Sequence, residues 1–165
     1  MKIFYIITLL AIVFSACQPK KAPIAEAKVE VSTNSYDSAL AERLGGDDYG
    51  MKTYVMAFLK KGPNRDQDSL AAAELQKAHM LNIERMAEEG KLVMAGPFYE
   101  NDQELQGLYL FNVETIEEAK ALTETDPAIK AGRLKMELMQ WYSLAAIQEI
   151  NSIHKKIMKQ SVVKE

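Results

Sequence analysis

One cysteine, Cys17, stands in the 165-residue chain, so no intramolecular disulfide can form. Histidine is nearly as scarce, with His79 and His154 alone. Three such ligands scattered over the chain make a poor zinc site, which takes four protein ligands or three and a water. A strong charge of either sign is missing too, since the net charge is −3. The short basic runs Lys20-Lys21, Lys60-Lys61 and Lys155-Lys156 are separated and balanced by acids. A nucleic-acid binder carries a basic patch or stripe, so nucleic acid is not expected as a partner. There is no glycine-rich phosphate loop and no dinucleotide fingerprint, and Gly45-Gly46 alone reads as a joint. No metal and no cofactor is therefore expected. What remains is the composition of an ordinary globular protein, 48% apolar and 26% charged, in a length that suits one domain.

The amino end departs from that average. Lys2 supplies a positive start, residues 3–14 are apolar but for Thr8, and Ser15, Ala16 and Cys17 follow. Positive end, apolar stretch and small residues are the order of a secretory signal peptide, here residues 1–16. A spanning helix needs about 20 apolar residues, and this run is too short for one. Phe14-Ser15-Ala16-Cys17 resembles a lipobox, although Phe14 stands where Leu or Val is usual. The resemblance implies diacylglycerol on the Cys17 thiol, cleavage before it and acylation of the new amino end. The plainer alternative is a signal peptide with a chance cysteine. Several acyl chains hold a protein stably, because each buried methylene contributes about 0.8 kcal/mol. Gln18, not Asp, follows the cysteine. By resemblance to known sorting signals the chain is expected on the outer membrane, facing the periplasm. Residues 17–48 then read as a lipidated cysteine and a flexible linker, being small, polar and proline-containing. Within them residues 36–44 suit a short helix with Leu40 and Leu44 on one side.

From residue 49 the pattern changes. Thr53, Tyr54, Val55 and Phe58 favour a strand over 51–59, ended by Gly62-Pro63-Asn64. Asp66, Asp68 or Ser69 caps a helix that runs to about residue 89, where Gly90 stops it. Residues 92–95 form a second strand, closed by Gly96-Pro97, and residues 105–113 a third. Thr115 caps a second helix, with Glu118 as its capping-box partner, ending near residue 125. Asp126-Pro127 opens a turn, and residues 134–142 make a fourth strand. Strand, helix, strand, strand, helix, strand is the ferredoxin-like βαββαβ order, an α+β fold with a four-stranded antiparallel sheet. Leu134, Met136 and Leu138 suit its helix-covered face, while Lys135, Glu137, Met139 and Trp141 fall on the other. An uncovered face of mixed character predicts a homodimer with sheets face to face. Residues 143–165 read as a C-terminal helix, with Leu144, Ile147, Ile150, Ile153 and Ile157 recurring every three or four positions. His154, near its exposed end, reads as a surface residue.

On the first long helix, steps of about 100° put Leu75, His79, Asn82 and Met86 on one side, turned to the sheet. Burial favours the neutral imidazole and demands partners for both ring nitrogens. A core histidine bonded to a backbone carbonyl meets that demand as well as a catalytic one does. Asp126 is equally two-sided, because Asp before Pro127 is a good N-cap. Capping does not prevent the same carboxylate from meeting a ring nitrogen.

The ordered set His79-Met80-Leu81-Asn82-Ile83, Met86, Gly90-Lys91-Leu92, Ala95-Gly96-Pro97, Asp126-Pro127, Gly132 and Trp141 resembles the YCII-related family over about residues 51–142. The resemblance implies a dimeric α/β barrel of ferredoxin-like type, with a histidine–aspartate pair that falls on His79 and Asp126. It also implies a lyase or isomerase acting on small cyclic or aromatic compounds. Gly96 and Pro97 would shape the ligand pocket, and Trp141 would offer a ring to it. Phe98, Tyr99 and Trp141 each suit either the pocket or plain core or dimer packing. Asn82 and Glu137 are the candidates for a second polar group near His79. The alternative is a non-catalytic lipoprotein that binds a small molecule or takes part in assembly.

Overall fold

A computed structural model describes residues 35–160. The expected signal peptide, Cys17 and the expected linker up to residue 34 lie outside the described residues, as do residues 161–165. The elements run α1 (Ser38–Leu44), β1 (Met51–Lys61), α2 (Ser69–Glu88), β2 (Leu92–Pro97), β3 (Leu105–Phe111), α3 (Ile116–Thr123), α4 (Pro127–Lys130), β4 (Leu134–Leu144), a 3-10 turn (Ala145–Glu149) and α5 (Ile150–Ile157). Strands β2-β3-β1-β4 lie side by side in that order, each antiparallel to its neighbour. This is the ferredoxin-like α+β fold, followed by a C-terminal helix.

Local chemistry sets the element ends. Asp68 caps α2 through Ala71 N–H, and Gly90 leaves the helix at a positive φ of 68°. Thr115 and Glu118 form a full capping box on α3. Asp126 caps α4, with Pro127 inside the first turn.

The main core lies between the sheet and helices α2 and α3. Val55, Ala57 and Leu59 of β1, Tyr109 and Phe111 of β3, Met86 of α2 and Ala119 of α3 are buried there. Leu134, Met136 and Leu138 pack against the same cluster, so the inward face of β4 falls where strand alternation puts it. Burying a large apolar side chain stabilises by about 1.5–3 kcal/mol, and this layer is where helices and sheet are joined.

Two expectations need correction. The flexible linker was expected to reach residue 48, but the short helix expected over residues 36–44 is present as α1 and packs, with Leu44 buried and Leu40 left exposed. Arg43 pairs with Glu149 at 2.7 Å, and Gln148 donates to the Leu44 carbonyl, so α1 sits on the 3-10 turn. The C-terminal helix was expected from residue 143. Instead β4 runs on to Leu144, because Ser143 and Leu144 continue the ladder opposite Lys52 and Met51. The chain then winds through the 3-10 turn before α5. That turn covers one end of the outer sheet face: Tyr54, Val93 and Leu110 are buried there, with Met56 and Ile147 against them. The outer face is thus only partly bare. Among the described residues, no helix is long and apolar enough to cross a membrane.

Candidate functional site

Helix α2 turns His79, Asn82 and Met86 inward, and His79 is 6% exposed. Its Nδ1 lies 2.7 Å from Oδ2 of Asp126, which is fully buried. The other oxygen, Oδ1, accepts the Ala128 backbone N–H at 2.8 Å. The capping role and the pairing role therefore belong to different oxygens of one carboxylate. An ionised carboxylate only accepts, so Nδ1 carries the proton and donates it to Asp126. In the neutral ring, Nε2 then keeps its lone pair.

Asp126 is held in place by its neighbours. Arg85 of α2 donates to Asn82 Oδ1 at 2.9 Å and to Thr125 Oγ1 at 3.1 Å. Thr125 donates to Asn82 Oδ1 at 3.1 Å, and its hydroxyl also lies 2.7 Å from the Leu122 carbonyl. This network ties α2 to the turn that carries Asp126. Asn82 is thus spent on positioning and does not reach the imidazole. Glu137, the other polar candidate, is exposed and paired with Lys60 at 2.7 Å.

Tyr109 was not anticipated. It is 2% exposed on the inner face of β3, with its hydroxyl 3.3 Å from Nε2 and 3.5 Å from Nδ1 of His79. The near-equal distances place the hydroxyl against the ring as a whole and not along one lone pair. The two rings are nearly parallel at 23°. Burial raises the Tyr109 phenol well above its ordinary range, and the negative charge of Asp126 adds to the effect. Tyr109 is a neutral phenol beside the imidazole. A tyrosine in an apolar strand carries no local signal of such a role. The β1–β3 register and the face it selects are what bring it here.

A cavity of about 520 Å³ opens beside His79. Gly96 and Pro97 of β2 line it, as do Tyr109, Arg65 and Arg133. Trp141, expected at the pocket, is elsewhere. It has the opposite parity from Leu134, Met136 and Leu138, so it lies on the outer face against Tyr54, with ring centroids 6.4 Å apart. Phe98 and Tyr99 also miss the cavity and are exposed in the loop after β2, Tyr99 at 96%. Among the described residues, no three potential metal ligands of the His, Cys, Asp or Glu type come together. Every buried side-chain polar atom among them has a partner.

The sequence profile of the YCII-related domain matches residues 54–142, more than half of the chain and all of the paired site. A similar solved structure is 5-chloro-2-hydroxyhydroquinone dehydrochlorinase (TftG) from Burkholderia phenoliruptrix AC1100, in complex with 2,5-dihydroxybenzoquinone. The two are 20% identical with a TM-score of 0.38, over 55% of this chain and 93% of that one. No protein of curated function matches.

Proposed function

This chain belongs to the YCII-related domain family, and from that premise we propose that it is a lyase or isomerase of small cyclic or aromatic molecules. The observation that supports this most is that His79, which lines a ligand-sized cavity, is held from behind by a 2.7 Å contact between its Nδ1 and Asp126 Oδ2. Asp126 holds the tautomer, and Nε2 acts as the general base. It removes a proton from an activated carbon, whose bonding pair becomes a new double bond. In an elimination, the group on the neighbouring carbon leaves with its own electron pair. The imidazolium, steadied by Asp126, then returns its proton to that group or to solvent. In an isomerisation the same proton returns to a different carbon of the substrate. Gly96 and Pro97 give the cavity a wall of backbone and small side chains, which lets a flat ring come close.

The test is a library of small ring compounds, run by thermal shift and then by turnover on wild type and His79→Ala. A compound converted by wild type and not by the variant supports the assignment. Conversion that survives in His79→Ala removes the base. A compound bound by both proteins and converted by neither replaces the enzyme with a binding protein.

Two further statements belong to the same reading. The chain is a lipoprotein with signal peptide 1–16, lipidated at Cys17 and tethered to the outer membrane on its periplasmic side. Metabolic labelling with palmitate should be lost in Cys17→Ser, and label that persists would remove the lipobox. The domain also works as a homodimer, for which the bare part of the outer sheet face is the candidate contact.

A further inference from the structure

The cavity beside His79 is lopsided in charge. No aspartate or glutamate lines it, while two arginines do, Arg65 and Arg133. The chain has four arginines in all. Arg43 pairs with Glu149 and Arg85 with Glu89, each at 2.7 Å. Among the described residues, Arg65 and Arg133 make no ion pair. Their hydrogen bonds go to neutral acceptors: Arg65 Nη1 to the Arg133 carbonyl at 3.2 Å, and Arg133 Nη1 to Gln67 Oε1 at 2.9 Å. A guanidinium has five N–H donors, so each retains most of its capacity.

The backbone brings these two side chains to one rim. Gly62 N–H donates to the Arg133 carbonyl at 2.9 Å and Asn64 N–H to the Gly132 carbonyl at 3.0 Å. The end of β1 is thereby clasped to the start of β4. Most of the remaining lining is apolar, with Leu59, Met80, Ile83 and Leu134, and Gln76 and Gln106 are its uncharged polar members. Low-dielectric walls focus the field of two permanent positive charges into the space between them. The planar fork of a guanidinium matches a carboxylate in particular.

We infer that the cavity takes a ring bearing a carboxylate, with Arg65 and Arg133 receiving the carboxylate and His79 facing the ring. The inference deepens the proposed function and rests on it for the role of His79. Anion recognition itself is carried by the arginines alone. The anion loses water on entry, and the two guanidinium groups replace that hydration with charge-assisted bonds. A neutral ring of the same shape gains only the apolar wall.

The experiment is calorimetric titration of the full chain with benzoate and with benzamide, which share a shape and differ in charge. Wild type is expected to bind benzoate at least tenfold more tightly, with a preference that shrinks as salt is added. Arg65→Gln with Arg133→Gln should abolish the preference. Arg65 is exposed, so Arg65→Gln alone keeps the fold and should reduce the preference at least threefold. In His79→Ala the preference should persist. Equal affinity for the two probes in wild type overturns the inference, as does a preference that outlives the double substitution. A preference lost in His79→Ala also overturns it, because the positive charge would then be the imidazolium. If a neutral ring is converted in a His79-dependent way without any charge preference, the inference fails and the acid–base function stands.

Discussion

Asp126 does two jobs with two atoms, and a single substitution separates them. In Asp126→Asn the amide oxygen can still accept the Ala128 N–H, so α4 keeps its cap. The amide nitrogen then faces His79 Nδ1 as a donor, where the carboxylate was an acceptor. Nδ1 must accept, and the ring proton moves to Nε2. Nitrogen-15 shifts of the imidazole should show the Nδ1–H tautomer in wild type and Nε2–H in the variant. Turnover should fall by about 10²–10⁴, the usual contribution of a positioned acid–base group. A variant whose tautomer is unchanged would show that Asp126 does not steer the ring. Tyr109 gives a pH prediction at the same scale. Its folded-state pKa is raised, chiefly by burial and then by Asp126. The folded protein therefore holds this proton to higher pH than the unfolded chain does. The stability it contributes is complete below the unfolded value of about 10 and is lost as pH rises beyond that. Tyr109→Phe has no proton to lose, so its melting temperature should decline less steeply than wild type above pH ~10. Parallel declines would assign the alkaline loss to other groups.

At the scale of elements, the clasp between the end of β1 and the start of β4 is the most constrained feature near the site. A Cβ on Gly62 would lie 2.2 Å from the Gly132 carbonyl oxygen and 2.8 Å from the Arg133 carbonyl carbon. Both are backbone atoms, so no side chain can move aside. Gly62→Ala should cost about 1–3 kcal/mol by overpacking, read as a lowered denaturation midpoint. Gly96→Ala is the control, since a Cβ there meets nothing within 4 Å and the change should stay within about 0.5 kcal/mol. Equal losses from the two would mean that the clasp is not tight in solution. The same elements show what a sequence can disclose. Caps and stops are local, so Asp68, Gly90, Thr115 and Asp126 mark the element order directly. Strand parity is local too, and it sorts Leu134, Met136 and Leu138 from Trp141. The parity that put Trp141 on the outer face also argued against its place in the pocket. The end of β4 was misread because Leu144, Ile147 and Ile150 keep helical spacing, while the strand persists through pairing with β1, a long-range effect. Tyr109, Arg65 and Arg133 escaped notice for that reason as well. Strand register and a loop crossing bring them to His79, and neither is written in the spacing of neighbours.

At the scale of the whole molecule, the sheet separates two kinds of surface. Its inner face carries the core and the His79 cavity. Its outer face is buried at Tyr54, Val93 and Leu110, under the 3-10 turn, and exposes Trp141, beside Tyr54, at 39% and Met139 at 60%. Apolar side chains standing on a flat sheet are stabilised by covering, and a second copy covers them symmetrically. Lys60 and Glu137 pair with each other beside this patch, so no unpaired acid from that pair opposes the approach of a like surface. Self-association through the outer face would leave the cavity, on the other side of the sheet, untouched. Met139→Glu with Trp141→Glu would set four new carboxylates against one another across a two-fold contact, and like charges there cost several kcal/mol. Sedimentation equilibrium should find wild type as a dimer and the double variant as a monomer. The variant should keep its benzoate affinity, because neither residue lines the cavity. A wild-type chain that sediments as a monomer at all concentrations removes the homodimer. A variant that remains dimeric moves the contact to another face, and one that loses benzoate binding together with dimerisation shows that the cavity needs the second copy.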